Sequence, residues 1–290
     1  MSTEVGRTAP RLGAASLFAV LAPLASSCGL IPAPDVAPEP TVFSHPDEMA
    51  STDAFIVLAD RRIFAVMAFL NAAGFDDEAS GVSMHPVRVK VRESVLRNLA
   101  GEPERLSSWR RYYRSKGLRT YHYQDFALSL TPDAPFRRTR PNSELGYPFT
   151  ARALGDLPDT LNDFWRAAAL ESVWNEVKAD YVAEVRKYDP ARTQRQIAAV
   201  WAYLRMTKTD TLVDVAIPNL LDAHYEAIGA RYDRFRYTVE SPGAGSYALN
   251  FHEYLHPIVN DRVRSGFPSQ ARKLRRYWRA GRDGPLSKSY

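Results

Sequence analysis

The sequence predicts an α+β fold in which helices predominate and a small sheet lies beside one functional helix. Most apolar residues recur with the three-to-four-residue spacing of helices. Two short runs, 211–217 and 234–240, are instead rich in the β-branched and aromatic residues typical of strands. After the second run, the loop signal at 241–245 precedes Ser246, which can cap a helix beginning at Tyr247.

The N-terminus has the pattern of a targeting segment. Arg7 and Arg11 provide positive charge, and the apolar run 12–25 is short for a transmembrane span. Small residues then lead to Cys28, the single cysteine of the chain, in a pattern like the bacterial lipoprotein processing site. The sequence favours residues 1–28 as a signal peptide with lipidation at Cys28, with plain secretion or an uncleaved anchor as the alternatives.

The distribution of charge and proline suggests the remaining boundaries. Residues 29–40 contain four prolines and are predicted to be a linker. The folded domain is expected over 41–270, followed by a basic tail at 271–290. From 262 to 290 there are nine Lys/Arg against one Asp, so the net charge of +5 leaves −3 on the preceding residues. The body is therefore not expected to bind nucleic acid. The tail suits anionic lipid or nucleic acid, with a disordered or poorly packed terminus as the equal alternative.

Apolar periodicity predicts the helices in order. They are expected at 53–73, closed by Gly74, and at 87–99, 106–116, 158–187 and 192–205. The stretch 120–130 is ambiguous between strand and helix, and 136–148 is predicted to be a loop. His85 precedes Pro86 at an expected helix start, where a structural role is the commoner one.

The stretch Asn250-Phe251-His252-Glu253-Tyr254-Leu255-His256-Pro257 contains H-E-x-x-H, a zinc-binding pattern of metallopeptidases. On a helix, His252 and His256 lie one turn apart on the same face, so two imidazoles can hold one ion. Zinc lowers the pKa of a bound water toward ~7, and Glu253 is placed to take its proton. The pattern predicts Zn²⁺ as cofactor and peptide or protein as substrate.

A catalytic zinc site usually has a third protein ligand. After Glu253 the sequence contains no further Glu, and after His256 no further His, so the later carboxylates are Asp261 and Asp283. Pro257 must end or bend the helix, which favours Asp261 as the tentative third ligand. Glu226 and Glu240 are the upstream alternatives.

The order of several stretches resembles an uncharacterised group of bacterial envelope proteins described as H-E-x-x-H zinc metallopeptidases. These stretches are 61–70, the helix containing Phe164-Trp165, Ile217-Pro218-Asn219-Leu220-Leu221 and 250–260. The resemblance covers residues 41–260. It implies a zincin-like, gluzincin-like domain with His252 and His256 as ligands and Glu253 as base. Gluzincins carry a later glutamate ligand, so here an aspartate substitutes, the tail has diverged or the site is incomplete.

The expected function is therefore a zinc metallopeptidase of the bacterial cell envelope. Because the third ligand is unresolved, the alternative is an inactive zincin-like envelope lipoprotein that uses the same cleft for binding or as a scaffold. His224, just upstream of the motif, could stabilise an oxyanion, although a histidine held by structural hydrogen bonds is the commoner case.

Overall fold

The computed structural model describes residues 49–75, 84–145, 148–203, 213–222, 227–232 and 235–241. The chain divides into two compact units, 1–34 and 35–290, and every described residue lies in the second. The helices are α1 (Arg61–Leu70), α2 (Pro86–Asn98), α3 (Pro103–Lys116), α4 (Thr120–Ala127), α5 (Pro148–Ala153), α6 (Leu157–Ala167), α7 (Leu170–Val185) and α8 (Pro190–Tyr203). The strands are β1 (Met49–Ser51), β2 (Phe55–Leu58), β3 (Val213–Pro218), β4 (Ala227–Tyr232) and β5 (Phe235–Glu240).

The expectation of a mostly helical α+β fold is confirmed. Helices account for most of the described residues, and the five strands form one mixed sheet in the order β1-β2-β3-β5-β4. Strands β2, β3 and β5 are parallel, while β1 and β4 are antiparallel strands at the two ends. Asp214 and Arg236 lie opposite each other on β3 and β5 and form an ion pair.

Helix α1 lies at the centre of the hydrophobic core. Every residue from Arg62 to Leu70 is buried, and the helix contacts α2, α4 and α6. Phe64 packs edge-on against Trp174, with ring centroids 4.9 Å apart. After α1 the chain makes a five-residue π-turn that includes Gly74, whose φ of 131° favours glycine.

The prediction of one helix over 53–73 is wrong at its beginning. Residues 55–58 form the buried strand β2, and the helix starts at Arg61 because the Asp60 carboxylate caps it. A short apolar run has the same composition in a buried parallel strand and in a buried helix. Pairing of β2 with β3, far away in sequence, decides between them.

The predicted helix 158–187 is two helices. It breaks between α6 and α7 at Ala169, whose φ of 49° is left-handed. Asn98 donates a hydrogen bond to the carbonyl oxygen of Ala168, Nδ2 to O 2.8 Å, which satisfies one acceptor at the break. Alanine strongly favours helix, so the sequence 167–169 gives no local sign of this interruption.

The other predicted elements within the described residues agree with the structure within a few residues, and helix α5 and strands β1 and β4 were not predicted. The predicted helix beginning at Tyr247 lies outside the described residues. The ambiguous stretch at 120–130 is mainly helix α4. Of the predicted loop 136–148, residues 136–145 are irregular except for the 3₁₀ turn Asn142–Glu144, and Pro148 already belongs to α5. None of the helices in the described ranges combines the length and apolar character that crossing a bilayer requires.

Candidate functional site

Most of the predicted site residues lie outside the described residues. These are His252, Glu253, His256, Asp261, Asp283, Cys28, His224 and Glu226. The structure does describe the strand that precedes the motif, β5, and the alternative ligand Glu240 at its end. The candidate site is therefore described from the carboxyl end of β5, the last described strand before the motif in sequence.

Three parallel strands end at this edge. Strands β2, β3 and β5 run in the same direction, so their carboxyl ends lie together. Polar residues follow each of them: Asp60 after β2, Asn219 directly after β3, and Glu240 as the last residue of β5. The region outside the carboxyl ends of parallel strands is where ligands commonly bind in α/β sheets.

Asp60 and Arg62 form a buried ion pair at the end of β2. Arg62 Nη2 lies 2.6 Å from Asp60 Oδ2, and Arg62 Nε donates to both carboxylate oxygens. Arg62 Nη1 also donates to the carbonyl oxygens of Leu128 and Leu130, at 3.0 and 3.2 Å. Burial alone would lower the pKa of Arg62, but the charge and hydrogen bonds of Asp60 raise it overall. Asp60 is thus committed to a structural role and is a poor metal ligand.

The loop after β3 is fixed by hydrogen bonds from side chains. Asn219 Nδ2 and Gln124 Nε2 both donate to Asp222 Oδ2, at 3.3 and 3.2 Å. Asn219 Oδ1 accepts from the Leu221 amide, and Asn71 Nδ2 donates to the Leu221 carbonyl oxygen at 3.0 Å. Asn219 and Asp222 are buried, and the backbone amide of Asn219 donates to the Glu240 carbonyl oxygen at 2.7 Å. The loop and the end of β5 therefore form one ordered unit.

Glu240 is 1% exposed, and its carboxylate accepts a hydrogen bond from the Tyr188 phenol at 2.8 Å. Burial raises the pKa of Tyr188, and the adjacent Glu240 carboxylate raises it further. The phenol therefore stays protonated and remains a donor at neutral pH. Glu240 remains the upstream alternative ligand predicted from sequence. Within the described ranges, no three or more His, Cys, Asp and Glu side chains are grouped so as to hold a metal ion.

Two other polar features have structural roles. His85 caps helix α2, because its Nδ1 accepts from the Val87 amide at 3.2 Å, and burial lowers its pKa. In the irregular segment before α5, Arg138 donates to the Asn142 side chain and to the Arg140 carbonyl oxygen. His85 therefore has a structural role as a helix cap. Arg138 forms hydrogen bonds within its own segment.

The sequence reading missed Asp60, Asn219, Asp222 and Tyr188 as residues of this edge. A local signal exists for Asp60, which follows an apolar run and precedes a helix, as an N-cap does. Tyr188 directly follows the predicted helix 158–187, and its contact with Glu240 spans 52 residues of sequence. Comparison with protein-family models, curated proteins and solved structures finds no match to this chain, so its own residues carry the functional argument.

Proposed function

We propose that this protein is a zinc-dependent metallopeptidase of the bacterial cell envelope with a zincin-like fold. The observation that carries the proposal is the position of H-E-x-x-H in the chain. The motif begins 12 residues after Glu240, the last residue of β5, which lies at the carboxyl edge of the parallel strands. A strand, a turn and then the motif is the order that such a site requires.

The residue types of the motif fit zinc. Two imidazoles and a carboxylate are donors that zinc favours, so His252 and His256 would hold it, with Asp261 as the proposed third ligand and Glu240 as the alternative. Zinc, when bound, supplies a Lewis acid that polarises a carbonyl and lowers the pKa of water. Glu253 acts as general base on the attacking water and then passes the proton to the leaving amine.

A peptide substrate is supported by the sheet. Among the described strands, β4 pairs only with β5, so its other side has no strand partner within the described residues. An extended peptide can pair with such an edge through its own backbone, independently of its side chains. The alternative function, an inactive envelope protein that binds or scaffolds through the same cleft, is favoured by the lack of a later glutamate.

Metal content tests the proposal. Purified protein comprising residues 29–290, which contains every described residue, should bind close to one zinc per chain. His252→Ala together with His256→Ala should remove it, because a single carboxylate cannot hold zinc tightly. Elemental analysis and a chelator competition titration measure both. A chain without zinc, unchanged in the double variant, would exclude the metalloenzyme.

The same titration identifies the third ligand. Asp261→Ala should weaken zinc affinity at least ~10-fold, whereas Asp283→Ala serves as the matched control and should have little effect. If Glu240→Gln weakens zinc affinity and Asp261→Ala does not, the third ligand is Glu240. Loss of zinc on deleting 271–290, with Asp261→Ala unaffected, would assign it to the tail.

The envelope location rests on Cys28. If the cysteine carries lipid, Cys28→Ser should move the protein from the membrane fraction to the soluble fraction, because acyl chains anchor far more strongly than single protein contacts. Fractionation and intact mass measure this. Membrane retention unchanged in the variant, without added acyl mass in the parent, would contradict lipidation.

A further inference from the structure

A groove opens on the side of the domain formed by α1, α2 and α3. Its volume is about 450 Å³ including the open mouth. Ala68 and Ala72 line it from α1 and the π-turn, and Val91, Val95 and Leu96 line it from α2. No aromatic side chain is among the described residues that line it.

Two arginines stand on the walls of this groove. Arg92 is an exposed residue of α2, and Arg110 belongs to α3. Arg110 Nε donates to the Ala72 carbonyl oxygen at 3.4 Å, which holds the guanidinium beside the apolar floor. Leu96 follows Arg92 by one helical turn and is 39% exposed, so apolar and cationic groups lie side by side at the rim.

The two helices carry a strong excess of positive charge. Residues 84–119 contain ten Lys/Arg and three Glu. Part of this charge is used away from the groove: Lys90 lies 4.0 Å from Asp180 on α7, and Lys116 lies 3.0 Å from Asp156. Arg114 is exposed and lies one turn after Arg110 on α3, which extends the positive face beyond the groove.

We propose that this groove and its arginines form a docking surface for anionic phospholipid at the membrane. Guanidinium groups pair with lipid phosphates, and the apolar floor with Leu96 accepts the first methylenes of an acyl chain. Single-stranded nucleic acid is less well matched, because its bases need aromatic side chains to stack on. If Cys28 carries lipid, as proposed above, the domain is held at a membrane surface, where anionic phospholipid is present.

Vesicle binding tests the proposal. The chain 29–290 should cosediment with vesicles containing phosphatidylglycerol and much less with pure phosphatidylcholine. Each arginine near an anionic surface is worth roughly a factor of 5 in binding. Arg92→Gln with Arg110→Gln should therefore weaken binding to the anionic vesicles at least ~10-fold, and Arg92→Gln alone about 5-fold.

A matched control has the same change in charge on other helices. Arg186→Gln with Arg195→Gln alters two exposed arginines at the end of α7 and on α8, and should weaken binding less than ~3-fold. The basic tail is present in every variant, so its contribution cancels in the ratios. Arg92→Gln is at an exposed site and keeps the test valid if the Arg110 change disturbs folding.

Equal losses in the two double variants would overturn the proposal, because they would reflect net charge alone. Unchanged vesicle binding in Arg92→Gln would overturn it as well. So would arginine variants that bind the anionic vesicles like the parent but bind a glutamate-rich peptide or an oligonucleotide more weakly than the parent does. The measurement requires neither zinc nor Cys28, so its outcome is separate from that of the metal analysis.

Discussion

Replacing Glu253 by glutamine should abolish peptide hydrolysis while leaving zinc bound. Glutamine keeps the size of the side chain and loses the basic carboxylate, and the imidazoles of His252 and His256 are unchanged. General-base catalysis commonly contributes ~10²–10⁴-fold, so the variant should lose at least that factor in kcat/KM. Steady-state assays on an unstructured protein substrate, run beside zinc analysis of the same sample, measure the effect.

The matched control is Glu93→Gln, the same chemical change at an exposed position of α2. It should keep full activity. Activity of Glu253→Gln equal to that of the parent would show that another group is the base. Absence of hydrolysis in the parent protein, with zinc present, would support the binding or scaffold function.

Replacing Arg62 by methionine should destabilise the fold by about 3–5 kcal/mol. Methionine fills much of the volume of the arginine stem, but it leaves the Asp60 carboxylate buried without its cation. It also removes the donor to the carbonyl oxygens of Leu128 and Leu130. Natural domains are stable by ~5–15 kcal/mol, so this loss is a large fraction of the whole. Denaturant unfolding followed by circular dichroism measures the free energy of unfolding.

Arg105→Met provides the control, because Arg105 pairs with Glu102 with both side chains at least 40% exposed. Exposed pairs contribute ~0–1 kcal/mol, so this variant should change stability little. The double variant Arg62→Met with Asp60→Asn should lose less free energy of unfolding than the sum of the two single variants, because each charge is stabilised by the other. A loss below ~1 kcal/mol in Arg62→Met would show that the pair is not needed for the fold.

The Asp60–Arg62 pair also bears on the candidate site. Asp60 caps α1 directly after β2, and Arg62 ties this point to the residues after α4. The loop at 219–222 and the end of β5 are joined next to it on the same edge. The carboxyl edge is therefore one hydrogen-bonded unit as far as Glu240.

Local patterns in the sequence were sufficient for many of the elements. Helices α2 and α3 each begin with proline at the first helical position, and α3 ends at Gly117 in the left-handed conformation. Strands β3 and β5 are short, apolar and β-branched, and each falls within two residues of its predicted bounds. These signals act over a few neighbouring residues, so they can be read without the rest of the chain.

Where distant partners decide, the sequence was insufficient. Strand β2 was predicted as helix because its identity depends on pairing with β3, Phe55 opposite Asp214. The interruption at Ala169 was not predicted, because packing and the Asn98 hydrogen bond override the helical preference of alanine. Edge strands β1 and β4 were also missed, although each pairs with the strand that follows it in sequence, β2 and β5 respectively.

The candidate site divides in the same way. H-E-x-x-H can be read from sequence because its chemistry needs two histidines one helical turn apart, a spacing set by local geometry. The sequence also predicted a strand, a turn and then the motif, of which the structure describes the strand, β5, and it predicted Glu240 as one possible ligand. Only the tertiary structure brought Asp60, Asn219 and Glu240 to one edge and placed the Tyr188 phenol on Glu240. Parallel strands align their carboxyl ends whatever the length of chain between them, and that alignment is a property of the whole fold.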